Sequence, residues 1–170
     1  MKDRITVPRP YYEDRVMAWM GRPVIKVLSG IRRSGKSSIL LRCKERLAAQ
    51  GVPDSAILHI NMELLVNERF RDIHLLNAEV HEAFNKNAGK VYLFLDEVQE
   101  IPGWEKLVGS LLAEGVADLT VTGSNAHLLA GELATLLSGR YVEFPVYPLS
   151  FREYCDFWFF VIFSGRSVRI

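Results

Sequence analysis

Cysteine is scarce in this chain, with two residues in 170, Cys43 and Cys155. They stand at neither a metal-type nor a redox spacing. A reduced, cytoplasmic setting fits that scarcity. Excess charge of one sign is missing too. Lys and Arg number 21 against 20 Asp and Glu, a net +1. Whole-chain electrostatics therefore give no support to nucleic-acid binding. Long apolar runs are also lacking. None approaches the roughly 20 residues that span a bilayer, and the nearest, Cys155 to Phe163, is too short. The opening Met-Lys-Asp-Arg-Ile-Thr-Val-Pro contains no apolar signal segment. No repeat, low-complexity stretch or linker interrupts the chain. What remains is 49% apolar and 24% charged, the make-up of one globular domain with a sizeable core.

What is present centres on Gly30-Ile31-Arg32-Arg33-Ser34-Gly35-Lys36-Ser37. Every fixed position of G-x-x-x-x-G-K-[ST] is filled. An apolar run, Val24 to Leu28, leads in, and a helical stretch, Ser37 to Gln50, leads out. A strand, a glycine-rich loop and a helix in that order hold a triphosphate. Backbone N–H groups of the loop cradle anionic oxygens, and the helix N-terminus adds positive partial charge. The expected contacts run from Gly30 through Ser38. Lys36 reaches the β- and γ-phosphates, and the Ser37 hydroxyl ligates Mg²⁺. Arg32 and Arg33, at variable positions, touch phosphate or a neighbouring subunit, or simply face solvent.

Periodicity predicts strands alternating with helices, hence an α/β domain with a largely parallel sheet. Helices are expected over 11–20, 37–50, 73–84, 104–112 and 126–137. Strands are expected over 24–28, 56–60, 91–95, 119–122 and 141–146. Pro145 and Pro148 limit how far the last strand runs as a central one.

The run Val91-Tyr-Leu-Phe-Leu-Asp96-Glu97 is an apolar strand ending in two acids. Ligands gather at the carboxyl ends of strands in open α/β sheets. Asp96 then lies beside the phosphate loop and serves Mg²⁺. Glu97 orients or deprotonates the attacking water. A solvated acidic turn is the plainer alternative. The strand at 56–60 intervenes in the chain, the order expected when an extra strand separates the loop strand from the acidic one. Ser124 and, after it, Asn125 close the fourth strand, where a polar group senses phosphate or positions water. Both are also good helix N-caps. Arg140, after Ser138-Gly139, reads as an arginine finger for a neighbouring subunit or as a surface arginine.

Taken together, these residues resemble a bacterial and archaeal ATPase family of the AAA+ superfamily. The matching pieces are Gly-Ile-Arg-Arg-Ser-Gly-Lys-Ser at 30–37, Leu-Asp-Glu-Val-Gln-Glu-Ile at 95–101, Gly-Trp at 103–104 and Thr-Gly-Ser-Asn at 122–125. Leu-Ser-Gly-Arg-Tyr at 137–141 and Tyr-Pro-Leu-Ser-Phe-Arg-Glu-Tyr at 147–154 complete the set. The resemblance implies a P-loop NTPase fold of the AAA+/ASCE type, a five-stranded parallel sheet between helices. It also implies ATP hydrolysis with Mg²⁺, and a C-terminal nuclease-like domain after the AAA+ domain. A catalytic glutamate directly after the metal acid marks hydrolases of that branch rather than small-molecule kinases. Residues 1–154 then form the ATP-binding domain. Residues 155–170 form a short apolar tail that departs from the family pattern and reads as a truncated or frame-shifted end.

The remaining features divide. Tyr11 and Tyr12 either flank the adenine or pack on the domain. His74 and His81 lack companions at ligand spacing and read as surface residues. Cys43 and Trp104 read as packing residues, and Asn61 and Glu63, at the end of the second strand near the proposed site, either couple Glu97 to a partner or form a plain turn. Besides an ATPase, two readings stay open: a nucleotide-binding module without turnover, and a small-molecule kinase. No arginine-rich lid supports the kinase. No guanine-specifying N-K-x-D is present, which favours ATP. ATP is the expected partner, with self-association or the second domain beside it, and no membrane.

Overall fold

The computed structural model describes residues 8–124, 137 and 139–164. Five strands form one sheet: β1 (Ile25–Ser29), β2 (Ile57–Asn61), β3 (Val91–Asp96), β4 (Ala117–Gly123) and β5 (Tyr141–Pro145). The order is β2-β3-β4-β1-β5, and every pairing is parallel. The helices are α1 (Pro10–Met17), α2 (Lys36–Ala49), α3 (Ile73–Asn87), α4 (Trp104–Glu114) and α5 (Phe151–Ser164). Among the described residues, no helix is long and apolar enough to cross a membrane.

Alternation along the strands builds two cores. Leu93 and Leu95 of β3, with Val27, Leu119 and Val121, face α3 and α4, which contribute Leu76, Val80, Trp104, Leu107, Val108 and Leu111. Phe94, Leu28, Ile57 and Phe144 face the other side. They meet Tyr12 and Val16 of α1 and Ile39, Leu40, Cys43 and Leu47 of α2. A parallel sheet covered on both faces explains why its central strands read as unbroken apolar runs. Cys43 is fully buried here. Burial pushes its thiol up to about 12, so it packs as a small hydrophobe.

Several boundaries differ from the sequence reading, with helices α3 and α4 running on to Asn87 and Glu114, and two differ for identifiable reasons. Helix α1 stops at Met17 rather than Met20, and Pro10 opens it, where a missing N–H costs nothing. Strand β4 begins at Ala117, two residues before the expected start. Asp118 disguised it, because aspartate is depleted in strands. Here Asp118 is buried and pairs with the equally buried Lys26 at 2.5 Å, and it also accepts from the Gly21 backbone N–H. The 3₁₀ segment Leu65–Arg71 was not foreseen. Helix α5 runs through the 154/155 boundary, with Phe151 and Phe159 exposed. The helix expected at 126–137 falls almost wholly outside the described residues.

The extra strand of the sheet order is β4. It lies between the loop strand β1 and the acidic strand β3, while β2 takes the edge. Proline is confined to the opposite edge, at the end of β5.

Candidate nucleotide-binding site

The carboxyl ends of β1, β3 and β4 converge, since Ser29 pairs with Gly123 and Leu95 with Val121. The phosphate loop leaves β1 at this rim. Gly30 has φ +146°, and a Cβ there would stand 2.2 Å from the Val146 carbonyl oxygen. Only glycine fits so close to a neighbouring backbone. The Val146 N–H donates to Ser29 O at 2.7 Å, which fixes that approach. Gly35, at φ +96°, turns the chain into α2.

The N-terminus of α2 is suited to an anion. No side chain caps it, and no acid occupies its first turn. The N–H groups of Lys36, Ser37 and Ser38 have no intrahelical acceptor by helix geometry. Ser34 Oγ is buried without a hydrogen-bond partner. Lys36 is 3% exposed. Its Nζ donates to Gly30 O at 3.0 Å and Ile31 O at 3.2 Å, both within the loop. An orphaned hydroxyl, open helix N–H groups and a buried ammonium fit a polyphosphate group. Ile31, Arg32 and Arg33 are exposed, with Arg33 at φ +65°. Arg32 reaches outward to Glu63 at 3.7 Å.

The acidic rim is tightly organised. Asp96 is fully buried. Its Oδ1 accepts from Thr122 Oγ1 at 2.5 Å, and its Oδ2 accepts from Asn61 Nδ2 at 3.1 Å. Thr122 Oγ1 also accepts from the Glu97 N–H at 3.0 Å. Glu97 is held in the left-handed region, φ 61° and ψ 58°. That conformation costs a non-glycine residue on the order of 1 kcal/mol, and the Thr122 bond helps offset it. Glu97 Oε1 faces Lys36 Nζ at 3.8 Å. Gln99 Nε2 donates to Glu97 Oε2 at 2.5 Å and to Ser124 Oγ at 3.2 Å. A cleft of about 210 Å³ opens here, lined by Arg32, Glu63, Glu97, Gln99, Glu100 and Ser124. On β2, burial holds the His59 imidazole below its ordinary value, with the Asp96 charge opposing.

Lys36, Asp96, Glu97 and Ser124 thus share one rim. Asn125 lies outside the described residues. Arg140 is elsewhere. Its carbonyl accepts from Ile25 N at the start of β1, so it stands at the other end of the sheet, roughly 16 Å of strand away. The two tyrosines pack edge to face, ring centroids 5.1 Å apart, but differ in exposure. Tyr12 is buried, and its hydroxyl accepts from Tyr147 N at 3.2 Å, whereas Tyr11 is exposed beside a cleft of about 530 Å³. For a cation, one buried carboxylate and the Ser37 hydroxyl form a hard-oxygen set. Such a set is typical of Mg²⁺ held mainly by substrate phosphates and water.

A family model described as an AAA domain matches residues 22–155. The chain belongs to that family. It is an ATP-binding module of the AAA type, with a P-loop. An uncharacterized Haemophilus influenzae protein is 40% identical over 148 residues, covering 87% of this chain and 37% of that protein. The uncharacterized protein MJ1544 of Methanocaldococcus jannaschii is 32% identical over 134 residues, covering 78% of this chain and 28% of that one. The chain therefore spans about a third of the length of these relatives. Among solved structures, C. elegans PCH-2 aligns at TM-score 0.65 and 13% identity, covering 89% of this chain and 47% of that one. AMPPCP-bound DnaA from Aquifex aeolicus aligns at TM-score 0.58 and 12% identity, covering 93% and 51%.

Thr122 and Gln99 were missed as site residues, and Asn61, read as a turn or as a link to Glu97, instead serves Asp96. Thr122 and Asn61 end strands beside Asp96, so strand register is the signal that finds them. Arg9 was missed as well. It is 4% exposed, donates from Nη1 to Ser34 O at 2.7 Å and pairs with Glu153 at 2.8 Å. It braces the loop from outside, and no local pattern announces it.

Proposed function

We propose that this domain hydrolyses ATP to ADP and phosphate with Mg²⁺. The observation that carries the reading is Lys36 Nζ facing Glu97 Oε1 at 3.8 Å beside a pinned, buried Asp96. In this reading the loop from Gly30 to Ser38 and the open first turn of α2 bind the phosphates. Lys36 turns from its loop carbonyls to the β- and γ-phosphate oxygens. Ser37 and Asp96 hold the cation, which neutralises charge on the transferring group when bound. Glu97 Oε1 takes a proton from water as the water oxygen bonds to the γ-phosphorus. The bridging P–O bond breaks, and its electron pair leaves with ADP. Ser124, with Asn125 next in the chain, is set to sense the γ-phosphate.

Arg140 fits this scheme only across a subunit boundary, because its end of the sheet is remote from its own loop. Self-association is thus part of the proposal, and a finger from a neighbour stabilises the developing charge. The same geometry favours a second reading, a nucleotide-holding module that turns over only when a neighbour or a further domain completes it.

The test is nucleotide binding and phosphate release on the same sample, beside Lys36→Ala. Binding and release that the variant lacks support an ATPase. Binding without release selects the second reading. Equal binding by the variant removes the loop from the site.

A further inference from the structure

Gln99 is tied down more firmly than a turn residue needs. It sits in the short 3₁₀ turn Val98–Glu100, between Val98 and Ile101, both fully buried. Glu100 N donates to Glu97 O at 3.1 Å and Ile101 N to Val98 O at 2.9 Å, so the backbone under Gln99 is fixed on both sides. The carboxamide commits both of its hydrogens. One goes to Glu97 Oε2 at 2.5 Å and the other to Ser124 Oγ at 3.2 Å. Its oxygen, Oε1, is buried without a partner. Leaving a buried acceptor unpaired is unfavourable. Turning the amide over would be worse, since it would aim that oxygen at the carboxylate. The demand of Glu97 therefore sets the orientation of the amide.

The result is a bridge between the acidic end of β3 and the end of β4. It occupies one oxygen of Glu97 and leaves the other, Oε1, pointing at the phosphate loop lysine. A glutamate has three side-chain torsions to lose, and the Lys36 approach is too long to act as a hydrogen bond. Within the acidic rim, the Gln99 amide is the group that fixes the carboxylate plane.

We propose that Gln99 is a positioning residue for hydrolysis: it holds the Glu97 carboxylate with Oε1 directed at the attacking water, using Ser124 as its second anchor. This rests on the reading of Glu97 as the base. Gln99 touches neither nucleotide nor water in this scheme, so its effect passes entirely through Glu97.

The test uses Gln99→Met, an unbranched side chain of similar length without donors, measured in the parent and in Glu97→Gln. The expected result is a fall in kcat of about 10- to 100-fold, the scale for misplacing a catalytic group, with ATP affinity within about twofold. In the Glu97→Gln background the same change has no further effect, because coupled residues are not additive. A merely structural role would cut rate and affinity in both backgrounds, and that outcome overturns the inference. So does a parental or raised kcat in Gln99→Met. Glu97→Gln hydrolysing like the parent would instead remove the base reading beneath the inference. A readout independent of turnover is the Gln99 side-chain amide in ¹⁵N NMR. One strongly downfield proton that moves to an ordinary amide position in Glu97→Ala supports the bridge, and an unchanged signal overturns it.

Discussion

Thr122→Val probes the wiring beneath the site, because it deletes one hydroxyl and keeps the shape of the side chain. That hydroxyl donates to the buried Asp96 carboxylate at 2.5 Å and accepts from the Glu97 N–H at 3.0 Å. A hydrogen bond to a charged group contributes about 1.5–3 kcal/mol, and an orphaned donor costs about 1 kcal/mol or more. Asn61 still serves the other Asp96 oxygen, so the carboxylate is not stripped bare. The loss should total about 2–4 kcal/mol, a sizeable share of the roughly 5–15 kcal/mol that holds a domain folded. At about 2–4 °C per kcal/mol for a chain of this size, the melting midpoint should drop by roughly 4–16 °C. Urea titration of the parent, Thr122→Val and Thr122→Ser gives the comparison. Thr122→Ser keeps the hydroxyl and should retain most of the stability. A Thr122→Val midpoint equal to the parent's would refute the claim that this hydroxyl supports both acids.

Three further outcomes follow from named contacts. Gly30→Ala should cost about 2–4 kcal/mol and abolish nucleotide binding, since its Cβ would lie 2.2 Å from a backbone oxygen; thermal melts and a binding titration check this. Lys26→Met should cost about 3–5 kcal/mol by stranding the buried Asp118, and a Lys26→Met, Asp118→Leu double variant should recover most of it in urea melts. Glu153 supplies the pH dependence. Burial raises its carboxyl, but hydrogen bonds from Arg9 and Ser150 outweigh that and hold it below the usual carboxylate range. Its stabilisation is therefore present above the ordinary carboxylate pKa and lost as pH falls through the lower folded value. Glu153→Gln should flatten that acid limb, as read from urea midpoints between neutral and acid pH.

The sheet and its layers were legible because short apolar runs alternate along the chain with helices that carry apolar faces at helical spacing. The phosphate loop and the Asp96-Glu97 pair were legible because their chemistry is local in sequence. Strand β4 was read short because Asp118 is stabilised by Lys26, some ninety residues away, and no local signal encodes such a partner. Thr122 escaped, and Asn61 was tied to Glu97 or a turn rather than to Asp96, for a related reason: a hydroxyl and an amide at strand ends meet Asp96 only through strand register. Gln99 lies within the acidic motif, but its donation back to Glu97 depends on the left-handed turn at Glu97, which no local pattern encodes. The far placement of Arg140 follows from parallel strand direction, which puts the start of β5 opposite the loop.

The most direct test of the central claim is phosphate release by Glu97→Gln at saturating ATP and Mg²⁺, with binding measured on the same sample. The account predicts parental ATP affinity and release reduced by about two to four orders of magnitude. Parental release would contradict it, because the carboxylate facing Lys36 would then have no part in the chemistry.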